Sequence, residues 1–448
     1  MIKKVTLFAS ALGIMLYISS CQKDVEQGGQ PILDEAAAAS FADEDGMITS
    51  VERFDLINNQ NPFTSTSNIN LLTGNWNVIN STIINSLNEN GKVLHMNTSA
   101  ELAMNFDVAT GISGVLFDYA KAGESDVTFE LLVSKDGGAT WNKQGETITA
   151  SSTVKQNVAF YMDQHGNTRV KLKIISGDGL NVDNFTLQDN ASTPKKDNNI
   201  GLGNPSNAKA QVNSPNNYLL VRPQYTLGYN NSKGNPKWVS WHLSTAWKGN
   251  APRVDAFRFD EALPATFYKT TAANYNNIGF DRGHQCPSDD RDLTSADNKA
   301  TFYMTDMLPQ APNLNRITWL ALEDYCRTLA SQGNELYIVS GGYGNGGSGS
   351  NGGTTNYVAN GKVEVPERCW KAIVILTNGS NDKNRVNNNT RVIAVDMPNN
   401  MSVSNQSWGN YRVSVDAIEA ATGLNLFSSV STSVQNVIEA VVDNGPTQ

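Results

Sequence analysis

The run Asp281-Arg282-Gly283-His284 places one of the chain's four histidines (the others are His95, His165 and His242) directly after two charged residues and a glycine. Further on, Asn315, Trp319, Glu323 and Arg327 recur at four-residue steps, and the stretch Arg316 to Ser331 holds no Gly or Pro. On a helix each such step turns by about 400°, a drift of about 40°, so the four project along one side. An amide, a carboxylate and a guanidinium would line that ridge. Apolar residues at positions 317, 320, 321, 325 and 329 predict the opposite, core-facing side of an amphipathic helix. Each feature has a plainer reading by itself. Asn315 could be a helix N-cap, and Glu323 with Arg327 a solvent ion pair worth about 0.2–0.5 kcal/mol. Together with His284 they form a complementary set. Phosphodiester hydrolysis needs a base for water, a cation for the developing charge and guanidinium groups on the phosphate oxygens. Asn is a sensible oxygen ligand for Mg2+, which keeps most of its waters. No further His or Cys cluster near these residues, which argues against zinc.

The segments DRGH, TFYMTDMLPQAPNLNRITWLALE and, upstream, YTLGYN and WVSWHLS resemble the sugar-non-specific DNA/RNA endonucleases of the ββα-metal fold, the family that includes endonuclease G. The resemblance runs over residues 216–435. It implies that His284 is the general base for the attacking water. It makes Asn315 the one direct protein ligand of Mg2+, with Mn2+ or another divalent cation as the alternative. Glu323 would orient water on that ion for protonation of the leaving 3′ oxygen. Arg327 and Arg282 would contact phosphate or hold the site, and Asp281 would orient its neighbours. The segment APRVDAFRFDEALP resembles the family's upstream arginine segment, which puts Arg253 ahead of Arg258 as the transition-state stabiliser. The implied products from DNA and RNA carry 5′-phosphate and 3′-hydroxyl ends. One departure stands out: the family usually reads Ser-Asn where this chain has Thr305-Asp306, so a carboxylate enters near the expected metal.

These residues need a scaffold, and the pattern predicts an α+β chain in two parts. Residues 46–190 carry short alternating runs (GVLFDYA, DVTFELLVS, RVKLKII) separated by turn clusters, which predicts an N-terminal antiparallel β-sandwich. That segment resembles the jelly-roll modules that accompany enzymes in bacterial surface proteins, which implies an accessory role with a glycan or surface ligand. Its Asp-Gly-Gly at 136–138 predicts a hairpin. Asp183 and Asn184 could hold calcium, although Asx residues favour turns. Residues 191–215, rich in Pro, Gly, Asn and Ser, read as a linker. Residues 216–448 are expected to form the ββα-metal nuclease domain with a mixed α/β core. Its strands would include YLLVRPQYTLGYN, PKWVSWHLS, ELYIVSGGYG, CWKAIVIL and RVIAVDMP, and its helices SVDAIEAATGL, capped by Ser414 or Asp416, and SSVQNVIEAVV. The glycine-rich GGYGNGGSGSNGGTTN lacks a Lys-Ser/Thr ending and reads as a flexible surface loop.

The remaining signals concern location. MIKK followed by VTLFASALGIMLYISS is a secretory signal, and ISSC resembles a bacterial lipobox in which Cys21 is lipidated. Residues 1–21 would be removed or lipidated, 22–45 would be a tether, and CQKDVEQ resembles the tag that sends lipoproteins to the surface of some Gram-negative bacteria. The protein would then meet the outer membrane through acyl chains alone. Cys286, Cys326 and Cys369 remain; export permits a disulfide, and the sequence does not select a pair. The net charge is −9, carried by the N-terminal part, with no strongly basic region to advertise nucleic-acid binding. A surface adhesin or glycan-binding lipoprotein with an inactive or secondary nuclease-like domain is therefore the alternative function. A phosphodiesterase for a small extracellular substrate would use the same residues. Oligomeric state is not encoded in any motif.

Overall fold

The computed structural model describes residues 49–52, 54, 57, 62–71, 73–86, 91–190 and 196–448. The signal segment, Cys21 and the tether lie outside the described residues. Among the described residues no helix is long and apolar enough to cross a membrane.

From Thr49 to Asp189 ten strands form one hydrogen-bonded network, every pair antiparallel. The alternation is carried through to burial: in Val127–Ser134, Val127, Phe129, Leu131 and Val133 face the core. Phe117 stacks on Phe185 at 5.3 Å, and Trp76 meets the Phe185 ring edge-on at 5.5 Å. The Asp-Gly-Gly hairpin forms as expected, with Gly137 and Gly138 at φ 70° and 94°. Asp183 and Asn184 sit at a β-bulge, where Asn184 (φ 49°) donates its amide to Asp118 at 2.8 Å.

The C-terminal half is built on a seven-stranded antiparallel sheet. Its order is Tyr218–Val221, Thr226–Asn230, Asn235–Leu243, Asn334–Tyr343, Arg368–Thr377, Val392–Pro398 and Arg412–Val413. Register sorts its side chains into two cores. Trp241, Ile338, Ile373 and Ile393 lie side by side across four strands on one face; Val339, Ala372 and Ala394 do the same on the other. Helices Val415–Thr422 and Thr432–Ile438 cover the second face. Ser414 does cap the first, accepting from the Ala417 N–H, and Gly423 ends it at φ 70°.

Two expectations need correction. The described part of the supposed linker, 196–215, is not a free connector. Leu202, Ala208 and Ala210 are buried in the second core, and Asn199 donates to the Arg222 and Pro223 carbonyls. The Pro, Gly, Asn and Ser content reports turns, and these turns are anchored. The glycine-rich loop is likewise tied down: Gly347 pairs with Thr355, and the Ser350 N–H donates to the Gly279 carbonyl at 2.9 Å. The two sheets also meet. Trp247, fully buried, receives Ala159 and an edge-on Tyr161 from the N-terminal sheet, while Arg291 and Lys196 lie over its ring at 4.0 and 4.7 Å.

Candidate active site

A two-stranded ribbon and a helix carry the site on the first face of the seven-stranded sheet. Asp281–His284 pairs antiparallel with Met307–Gln310, so Gly283 lies opposite Leu308 and His284 opposite Met307. A Cβ at position 283 would stand 2.0 Å from the Oε1 of Gln310, a fully buried side chain, so the close approach requires glycine. The chain then enters a helix, π-helical over Leu314–Trp319 and α-helical over Leu320–Ser331. Such wide turns recur at functional sites, and here the wide turn holds Asn315.

The helix faces the core only partly as expected: Tyr325 and Leu329 are buried, but the rest of the assigned core side is not. Ile317 and Leu320, assigned to the core, are exposed, whereas Trp319, Leu322, Glu323 and Cys326 are buried. The polar ridge points into the protein because partners for its charges wait there. Asn315 is not the N-cap of this helix either; the chain is already helical at Pro312 and Asn313.

His284 is wedged between two phenylalanines that the sequence reading missed. Its ring meets Phe302 edge-on at 5.0 Å and Phe257 at 5.6 Å. Each ring also carries an arginine: Arg253 lies 4.9 Å from the Phe302 centroid and Arg282 4.9 Å from that of Phe257. The two rings touch each other at 4.9 Å, so one aromatic pair positions all three groups. Among the described residues, His284 Nε2 is buried without a hydrogen-bond partner. Burial first, then the Arg253 charge, hold the imidazole far below its usual range, at about 3. It is therefore neutral, with a lone pair available, well below the ordinary imidazole titration.

The arginines differ in how far they are committed. Arg253 donates Nε to Asp255 and Nη1 to Ser288, both at 2.8 Å, and its other terminal nitrogen makes no hydrogen bond among the described residues. Arg282 donates to the Ala272 carbonyl and Asn276. Arg258 lies 3.8 Å over Tyr303 and donates to the Ala256 and Lys299 carbonyls, a structural tie.

Asp281 links ribbon to helix. It accepts from Asn315 Nδ2 at 3.0 Å and, through both oxygens, from Arg316 at 2.8 and 2.7 Å. A carboxylate only accepts, so the amide must present nitrogen to Asp281 and leaves Oδ1 free to bind elsewhere. A half-buried amide oxygen oriented by a carboxylate suits a hard divalent cation.

Glu323 and Arg327 belong to a buried charge network. Lys371, 1% exposed, places Nζ 3.5 Å from Glu323 and 4.3 Å over the Trp319 ring. Arg327 donates to Asp290 at 3.0 Å and to Asp324 at 2.6 Å, and Trp241 donates to the other Asp290 oxygen at 2.9 Å. Arg327 is thus occupied by carboxylates, not open to phosphate. Burial raises the Glu323 carboxyl to about 7, opposed chiefly by Lys371. Asp306 is fully buried; it accepts the Cys286 N–H at 3.1 Å, its other oxygen has no hydrogen-bond partner among the described residues, and burial pushes its pKa well up. Cys286, Cys326 and Cys369 are all buried and free.

The sequence pattern of the DNA/RNA non-specific endonuclease family matches residues 203–433. The chain belongs to this family. A curated relative called Nuclease, from Nostoc sp., is 48% identical over 54% of this chain and 85% of its own length. Nuclease C1 of Cunninghamella echinulata is 28% identical over 54% of this chain and 92% of its own length. A chain in the crystal structure of an EndoG/EndoGI complex is 23% identical with a TM-score of 0.43, over 54% of this chain and 95% of that one.

Proposed function

We propose that this nuclease is a divalent-cation-dependent endonuclease that hydrolyses DNA and RNA to 5′-phosphate and 3′-hydroxyl ends. The observation that carries the reading is the pairing of an unpartnered, neutral His284 with an Asn315 amide whose oxygen is freed by Asp281. His284 Nε2 accepts the proton of the attacking water. Arg253, with one terminal nitrogen uncommitted, stabilises charge on the phosphate oxygens. Arg282 and Arg327 hold the site. Glu323, placed by Lys371, orients water for protonation of the leaving oxygen. A Mg2+ ion, or another divalent cation, held by Asn315 Oδ1 would neutralise charge developing on the phosphate.

A plasmid and an RNA, each incubated with the protein with and without EDTA, test this. Both should be cut, both cleavages should stop in EDTA, and both should return with Mg2+. Cleavage that persists in EDTA would contradict the cation's role; no cleavage of either would favour the binding-protein reading. That second reading has one observation behind it. The N-terminal sheet carries an open groove of about 450 Å3, within the usual ligand-site range, lined by His95, Asp118, Tyr119, Lys121, Asn181 and Asp183. We further propose that residues 46–190 are an accessory module and that lipidated Cys21 anchors the protein at the bacterial surface. Membrane partitioning unchanged by Cys21→Ala would refute the anchor.

A further inference from the structure

On the opposite face of the seven-stranded sheet from His284, three carboxylates converge. Asp416 and Glu419 stand three residues apart on helix Val415–Thr422, hence on one side of it. Glu439 follows helix Thr432–Ile438, and its carbonyl accepts the Asp416 N–H at 3.0 Å, which fixes the two segments together. One oxygen from each side chain lies within 4.8 Å of the others. Glu439 is only 4% exposed, and among the described residues its Oε1 is sealed without a hydrogen-bond partner. Asp416 is exposed and Glu419 half-buried, so the cluster has a closed floor and an open mouth.

A buried carboxylate oxygen without a donor is unfavourable, and two like charges beside it add to that. Among the described residues no hydrogen bond joins the three side chains, and a cation would satisfy all three at once. Calcium binds oxygen at about 2.3–2.6 Å, so ligands across one ion stand up to about 5 Å apart. Mg2+, at about 2.0–2.1 Å, demands a tighter, near-octahedral shell. The open mouth lets water complete the larger shell.

We propose that Asp416, Glu419 and Glu439 form a calcium site, separate from the nuclease centre, that clamps the two C-terminal helices together. Calcium binding to the full-length protein by equilibrium dialysis, with melting curves in EDTA and in calcium, tests it. One calcium should bind in wild type and persist in Asn315→Ala. Asp416→Asn and Glu439→Gln should each weaken it by about tenfold or more, as expected when a charged ligand is lost. Calcium should raise the Tm of wild type but not of Glu439→Gln, while Asp416→Asn keeps wild-type nuclease activity in Mg2+. Absence of calcium binding, affinity unchanged in Asp416→Asn, or a calcium-dependent Tm rise that survives in Glu439→Gln would overturn the proposal. If Glu439→Gln does not fold, Asp416→Asn, altered only at the surface, decides.

Discussion

Between Thr49 and Asp189 the buried polar side chains are Ser81, Ser113, Ser134, Thr168 and Gln188, all neutral, among the described residues. Beyond Tyr218 the buried set includes Arg222, Asp260, Asp290, Arg291, Asp306, Glu323, Glu335 and Lys371. Both halves are sheets of antiparallel strands, so strand geometry does not force this difference. Removing a charge from water costs several kcal/mol even after the protein relaxes, and ion pairing often does no more than offset it. The N-terminal half shows that this chain can build a core without buried charge. The C-terminal half retains charges where Glu323 and Arg327, on the inward side of the site helix, meet Lys371 and Asp290. Its displaced titrations follow the same logic: His284 is pushed down and Glu323 up, each first by burial.

The sharpest way to break the comparison is to remove one buried partner. Arg327→Ala leaves Asp290, whose side chain is 1% exposed, with an unpaired oxygen. Urea unfolding should show a loss of about 3–5 kcal/mol, the range for breaking a buried pair. A loss under about 1 kcal/mol would mean the network is not the structural element described here.

Lys371→Met should have a smaller effect, read through pH. Lys371 lowers the Glu323 pKa, so its removal drives a carboxyl already near 7 higher, and less of it is ionised at neutral pH. In a pH–rate profile the rising limb should move to higher pH, with more activity lost at pH 6 than at pH 9. His284 does not supply that limb, because it is already neutral above about 3. A uniform loss at every pH would place Lys371 in a packing role alone.

The smallest effect belongs to the N-terminal half. Lys143 pairs with Glu130 at 3.1 Å but is 40% exposed. Lys143→Ala should cost at most about 1 kcal/mol in the same urea experiment. A loss as large as that of Arg327→Ala would erase the contrast between the halves.

Much of this was legible in the chain because strands announce themselves by period. RVIAVDMP and ELYIVSGGYG are strands as read, and DRGH is the first strand of the ribbon. Asn315, Trp319, Glu323 and Arg327 stand on one helix, as their four-residue spacing predicts. What failed was facing. A helix pattern assigns apolar residues to the core, but here buried partners draw Glu323 inward and leave Ile317 and Leu320 outside. Lys371 sits inside the apolar strand CWKAIVIL, and nothing local shows that its amine meets a helix from elsewhere in the chain. Phe257 and Phe302 come from irregular segments, so no periodicity flags them, although Phe257 lies inside the arginine segment already singled out. Asp306 was read by type as a charge; only the fold shows that it is fully buried, which raises its pKa.

A metal titration of nuclease activity in His284→Ala and Asn315→Ala, on one DNA substrate, tests the assignment of base and ligand most directly. His284→Ala should reduce turnover about 10²–10⁴-fold at every Mg2+ concentration, the range for a lost general base, with the half-saturating metal concentration unchanged. Asn315→Ala should shift that concentration upward and recover part of its activity at high Mg2+. If the metal requirement shifts in His284→Ala and stays fixed in Asn315→Ala, the two roles are misassigned and the account of the site is wrong.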